Sequence, residues 1–136
     1  MGLGKTLQSI CIISADNYNR AEEFKKSGAP EFAHCPSLVV CPSPLTGHWY
    51  FEIKKYAEFM KPIIYIGSKD ERAGIRRKMM KSYDVVIISY EVLRNDIELL
   101  SKLRFNYCCL DEGHVIKNPI TKLTKAVKTV KAFHRL

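Results

Sequence analysis

No run in this sequence approaches the roughly 18 consecutive apolar residues that a membrane-spanning helix needs. The short apolar stretch Ile10 to Ile13 has neither a basic segment before it nor a small-residue cleavage site after it, so it does not read as a secretory leader, and no membrane partner is expected. Zinc-knuckle spacing is also lacking. Five cysteines are an odd number; Cys35 and Cys41 stand too far apart for a CxxC pair, and the adjacent Cys108 and Cys109 would point to opposite faces of a strand. They read as reduced core residues, which suits a cytosolic or nuclear compartment. Repeats, low-complexity tracts and domain boundaries are missing as well, so 136 residues that are 46% hydrophobic predict one domain with one core. Acidic residues are the minority: 14 Asp and Glu against 22 Lys and Arg give a formal charge of +8, which favours a polyanionic partner such as nucleic acid without deciding for one.

What is present is an alternation of two patterns. Ser37 to Cys41, Pro62 to Ile66, Asp84 to Ser89 and Asn106 to Leu110 are short β-rich apolar runs. Leu38-Val39-Val40 and Val85-Val86-Ile87-Ile88 are continuous rather than alternating, the mark of parallel strands covered on both faces. Between them, helical patterns run from Lys5 to Ala15, Leu45 to Tyr56, Asp70 to Ser82, Glu91 to Leu103 and Pro119 to Ala132. Tyr18 to Pro36, with Gly28, Pro30 and Pro36, reads as a frayed helix followed by a surface loop. The class predicted is α/β, a parallel sheet flanked by helices with right-handed crossovers.

Chemistry concentrates at two places. Gly2-Leu3-Gly4-Lys5-Thr6 reads as the second half of a phosphate-binding loop: glycines let backbone N–H groups close on phosphate oxygens, and the helix that follows offers its positive end. Lys5 would reach the outer phosphates of ATP, and Thr6 would hold Mg²⁺ through its hydroxyl. The bland alternative is an ordinary helix start. The second place is Asp111-Glu112-Gly113-His114, delivered by the apolar strand Phe105 to Leu110 to the carboxyl edge where α/β sheets bind ligands. Asp111 can hold Mg²⁺ through water, and Glu112 can orient and deprotonate an attacking water, since phosphoryl transfer depends mainly on positioning and charge stabilisation. His114 reads as a link between this site and a neighbouring motif. His34, His48 and His134 read as surface or packing residues, and Trp49, at helical spacing with Ile53 and Tyr56, as a core anchor rather than a base-stacking platform.

In order along the chain, Met1-Gly2-Leu3-Gly4-Lys5-Thr6-Leu7-Gln8-Ser9 resembles motif I of the SWI/SNF-like helicase superfamily. Leu38-Val39-Val40-Cys41-Pro42 through Trp49 and Glu52 resembles motif Ia, Ser89-Tyr90-Glu91 the next DNA-side motif, and Asp111-Glu112-Gly113-His114 with Lys117-Asn118 motif II. Leu45-Thr46-Gly47-His48-Trp49, Arg94-Asn95-Asp96-Ile97 and Phe105-Asn106-Tyr107 resemble the branch that removes TATA-binding protein from DNA. Ser43-Pro44 departs from the superfamily's usual residues there, which bears on a backbone contact to DNA and not on the ATP site.

The resemblance implies a truncated P-loop, RecA-like helicase lobe 1: a partial N-terminal ATP-binding lobe over residues 1–136, in a nuclear, DNA-dependent ATPase that translocates on double-stranded DNA and regulates transcription. It implies Gly2, Leu3, Gly4, Lys5, Thr6 and Asp111 as ATP-binding residues, Thr6 and Asp111 as Mg²⁺ holders, and Lys5 and Glu112 as catalytic. Pro42, Thr46, Gly47, His48, Ser89 and Tyr90 are the candidates for sequence-independent contacts to the DNA backbone. The basic run Arg72 to Lys81 reads as a solvated helix face. Both ends read as cut, with motif III, a second lobe and any TATA-binding-protein-gripping region absent; alone, this segment is therefore expected to be inactive. The strand entering the phosphate loop would sit centrally, so facing edges inside the sheet are expected to be unpaired. The alternatives are the ATPase lobe of another chromatin-remodelling branch, or a non-catalytic fragment that only binds nucleotide or DNA.

Overall fold

The computed structural model describes residues 2–111 and 126–136, with side chains from Lys5 onward. Helix α1 (Gly2–Ser27) is followed by β1 (Ser37–Cys41), α2 (Thr46–Tyr56), β2 (Pro62–Ile64), α3 (Lys69–Ser82), β3 (Val85–Ser89), α4 (Tyr90–Leu100), β4 (Arg104–Leu110) and β5 (Lys131–Arg135). The strands form one sheet in the order β2-β3-β1-β4-β5, with every neighbouring pair parallel. This is the α/β architecture that the apolar runs predict.

Strands β1 and β3 are buried at every position, and their alternate residues feed two cores. Val39, Cys41, Val85 and Ile87 pack with Ile10 and Ile13 of α1 and Trp49 and Ile53 of α2. Leu38, Val40, Val86 and Ile88 face the other way, against Met79 of α3 and Leu93 and Leu100 of α4. Helices thus cover both faces, and each fully buried Val, Ile or Leu contributes about 1.5–3 kcal/mol of transfer free energy.

Besides a β2 that stops at Ile64 rather than Ile66, three larger features of the fold differ from the sequence reading. Helix α1 continues through the polar stretch to Ser27 instead of fraying after Tyr18. It ends at Gly28, whose φ of 67° suits the left-handed residue that closes a helix, and its N–H reaches the Phe24 carbonyl at 2.8 Å. Arg20 then pins the following loop through the Glu31 and Ala33 carbonyls, at 2.9 and 3.1 Å.

The second difference lies at the far end. Residues 119–125 of the predicted helix lie outside the described residues; 126–129 are helical, but Ala132 belongs to a strand. Pairing decides it: Arg104, Phe105, Tyr107 and Cys108 of β4 align with Lys131, Ala132, His134 and Arg135. Tyr107 stacks on His134 with centroids 4.7 Å apart, and Arg104 lies over the Phe133 ring.

Finally, the described strands are hydrogen-bonded neighbour to neighbour in unbroken series, so no pair of unpaired edges faces another inside the sheet. The outer positions are taken by β2 and β5, because β1 pairs directly with both β3 and β4.

Candidate functional site

Three contacts fix how α1 lies on the sheet. Ser9 lies beside the Cys109 thiol near the end of β4. Asn106, near the start of β4, donates to Asp16 at 2.6 Å, and Asn17 donates to Asp84, just ahead of β3, at 3.4 Å. Helix α1 therefore runs antiparallel to the strands, and its first turn lies at their carboxyl ends. That turn contains Gly2, Leu3 and Gly4, which the sequence places in a loop. The chemistry sought from the loop survives the change, because the first four N–H groups of a helix have no acceptor within it. One turn before Ser9, Lys5 is exposed and Thr6 is buried, at 5% exposure.

Asp111 follows β4 and stands at the same edge of the sheet. Its N–H donates to the Val40 carbonyl at 2.7 Å, continuing the β1–β4 ladder by one more rung. Trp49 Nε1–H donates to Asp111 Oδ2 at 2.9 Å, and the Tyr90 hydroxyl donates to the Asp111 carbonyl oxygen. Burial pushes the Cys41 thiol up to about 12, with the Asp111 charge adding to the shift. Burial likewise raises Cys109, with Ser9 opposing and Asp111 reinforcing. These thiols stay protonated at neutral pH and are not nucleophiles.

The structure thus brings Lys5, Thr6 and Asp111 to one edge. Glu112, Gly113 and His114 lie outside the described residues, as do Lys117 and Asn118. Donor chemistry fits a hydrated divalent cation: a threonine hydroxyl and an aspartate carboxylate are the hard oxygen donors that Mg²⁺ takes, and helix N–H groups with a lysine suit phosphate.

The DNA candidates line the same edge. Pro42 follows β1, and Thr46, Gly47 and His48 form the first turn of α2, where the Thr46 hydroxyl donates to the Ser43 carbonyl at 3.0 Å. Gly47 is exposed, and a Cβ built there meets nothing within 4 Å. Ser89 is 8% exposed and caps α4, its Oγ accepting from the Val92 N–H at 3.3 Å. Tyr90 is half-buried against the α4-side core. In the basic run, Arg72 and Arg76 turn inward to Asp96, while Arg77, Lys78 and Lys81 face solvent.

Trp49 is the core anchor expected, 2% exposed. Its bond to Asp111 is what sequence reasoning missed. A buried indole N–H needs an acceptor, which was the available signal; which acceptor depends on a contact across 62 residues.

The SNF2-related domain matches residues 1–136. The chain belongs to the SNF2-related domain family. Among relatives of this SNF2-related chain, the TATA-binding protein-associated factor mot1 of Schizosaccharomyces pombe is 60% identical over 136 residues, all of this chain and 7% of that protein. The human TATA-binding protein-associated factor 172 is 49% identical over 138 aligned residues, again all of this chain and 7% of the relative. In three dimensions the SNF2-related chain is similar to the Sulfolobus solfataricus SWI2/SNF2 ATPase core solved in complex with dsDNA, with TM-score 0.70 and 35% identity over 99% of this chain and 25% of that one. A second structure, the Sulfolobus solfataricus SWI2/SNF2 ATPase core domain, gives TM-score 0.72 at 32% identity, covering 99% of this chain and 24% of its own. The parallel sheet flanked by helices thus has the fold of a RecA-like lobe, as in that core.

Proposed function

We propose that this segment is the ATP-binding part, a partial N-terminal helicase lobe, of a nuclear ATP-dependent double-stranded-DNA translocase that removes TATA-binding protein from DNA and so regulates transcription. The observation that carries the reading is the convergence of the α1 first turn, Lys5, Thr6 and Asp111 on one carboxyl edge, in a chain similar along its whole length to TATA-binding protein-associated factors.

In this reading Gly2, Leu3 and Gly4 present backbone N–H groups to ATP phosphates, and Lys5 neutralises the outer ones. Thr6 and Asp111 hold Mg²⁺, which supplies charge stabilisation when bound. Glu112 orients the attacking water and accepts its proton, and His114 couples the site to neighbouring elements. Pro42, Thr46, Gly47, His48, Ser89 and Tyr90 meet the DNA backbone, where contact supplies affinity without sequence choice.

The test is DNA-stimulated phosphate release by the intact protein, with nucleotide affinity measured alongside. Lys5→Ala is expected to lose both, and Glu112→Gln to lose turnover while keeping affinity, because it removes the proton acceptor and leaves the phosphate cradle. A Glu112→Gln protein that retains most of its turnover sinks the reading.

A further inference from the structure

We propose that Trp49 and Tyr90 are positioning residues for Asp111, holding its carboxylate and its backbone in the orientation that Mg²⁺ binding requires. The proposal rests on the reading of Asp111 as a metal-holding group and assigns how that group is aimed.

Asp111 is gripped from three elements. Strand β1 takes its N–H through Val40, α4 takes its carbonyl through the Tyr90 hydroxyl, and α2 takes its carboxylate through the Trp49 indole. Backbone and side chain are therefore fixed by separate groups. Trp49 is itself immobilised: it is 2% exposed and packs with Val39, Cys41 and Ile53. A ring held that tightly aims its N–H along one line, so Oδ2 is fixed with it. A carboxylate has about four lone-pair directions and one indole N–H occupies one, so the bond leaves capacity for a cation. Hydrogen-bond partners of this kind orient metal-holding carboxylates and tune their affinity.

A purely structural reading would stop at a buried aromatic that satisfies its own N–H. The placement of the two donors argues for more. Both sit in the first turns of their helices, beside the candidate DNA contacts Thr46, Gly47, His48 and Ser89. Each helix start is therefore joined to Asp111 by a direct hydrogen bond.

The experiment titrates Mg²⁺ against binding of a fluorescent ATP analogue by the intact protein. Trp49→Phe keeps an aromatic ring in the core and deletes the N–H; Tyr90→Phe deletes only the hydroxyl. Each is expected to raise the Mg²⁺ concentration at half-saturation, by about tenfold for Trp49→Phe and by less for Tyr90→Phe. Ile53→Val, which thins the same core without touching Asp111, is expected to leave the metal dependence alone. A folded Trp49→Phe protein with wild-type metal half-saturation overturns the proposal. If that variant does not fold, Tyr90→Phe decides by the same criterion. Nucleotide binding that in the wild type is indifferent to Mg²⁺ and to Asp111→Asn would sink the metal role of Asp111 itself, a different failure from an unshifted Trp49→Phe.

Discussion

Two aspartates stand at opposite ends of the sheet and are treated in opposite ways. Asp84 precedes β3 at the amino edge and is enclosed by partners from the fold: His34 Nε2 at 3.1 Å, the Lys61 N–H at 2.7 Å and the Asn17 amide at 3.4 Å. Burial by itself would raise its pKa, but His34, Lys61 and Asn17 outweigh burial and hold it below the usual carboxylate range. Asp111 follows β4 at the carboxyl edge, where Trp49 donates to one carboxylate oxygen while Val40 and Tyr90 hold its backbone. The first arrangement ties together the start of β3, the middle of α1 and the turn before β2. The second holds a carboxylate at the sheet edge where α1 begins with Lys5 and Thr6. Parallel sheets separate these tasks by polarity, with ligands taken at the carboxyl ends of the strands.

Exchanging the two residues in turn should break this symmetry. Asp111→Asn is expected to lower ATP turnover by about 10²-fold or more, the scale of removing one preorganised charged group from such a site, with little change in melting temperature. Asp84→Ala is expected to do the reverse, costing about 1–3 kcal/mol of stability because it removes three hydrogen bonds to a charged carboxylate, with turnover per folded molecule unchanged. Thermal melts read beside phosphate release check both, and an Asp84→Ala protein that is stable but slow would refute the division.

Ser89 sharpens the comparison because it sits at the functional edge while serving the fold. As the cap of α4, Ser89→Ala is expected to cost about 1 kcal/mol, the usual loss for a capping hydroxyl. If the hydroxyl also meets a phosphate, DNA affinity falls in the same variant, and a filter-binding titration separates the two effects.

The smallest effect is a pH dependence confined to the amino edge. His34 Nδ1 faces the Met80 carbonyl at 2.9 Å and Nε2 faces Asp84, so both ring nitrogens meet acceptors and the protonated ring is favoured. The hydrogen bond to Asp84 is the main cause of its raised pKa, against the opposing effect of burial. A raised histidine stabilises fully below its ordinary value of 6.5 and loses that contribution as pH rises through the folded value. A lowered aspartate stabilises above its ordinary 3.8 and loses the contribution as pH falls through its folded value. The pair therefore contributes most between those two ordinary values. His34→Gln should flatten the loss of melting temperature on passing through neutral pH, by less than the Asp84→Ala loss because the imidazole is 38% exposed. An unchanged slope would remove His34 from this role.

How much of this could be read in advance varied with the range of the forces involved. Strand β1 falls at the predicted residues, and β3 within one, because continuous apolar runs bounded by prolines or an aspartate have few other ways to be buried. The length of α1 was not legible: Tyr18 to Ser27 is polar, and its helix depends on the close at Gly28 and on exposed pairs such as Glu22 with Lys25. Strand β5 is mostly exposed and lysine-bearing, and its pairing with Arg104 to Cys108 is the cause of its conformation. Within the site, a strand ending in acids marked Asp111, whereas its grip by Trp49 and Tyr90 arises only when α2 and α4 reach the same sheet edge. The Arg72 and Arg76 commitment to Asp96 was hidden for the same reason. Asp96 is 6% exposed and leaves helical geometry within α4, at φ −108° and ψ 15°, while it accepts from both arginines and from the Tyr65 hydroxyl.

Trp49 is the single tryptophan in the sequence, so indole emission excited beyond the absorption of the tyrosines comes from one residue. Its indole N–H rests on the carboxylate proposed to hold the cation. Excited-state emission of an indole responds to nearby charge, and here that charge would be neutralised or restored as the site fills and empties. If Asp111 holds the cation as proposed, the emission of Trp49 would report filling of the site with no dye attached and no residue changed.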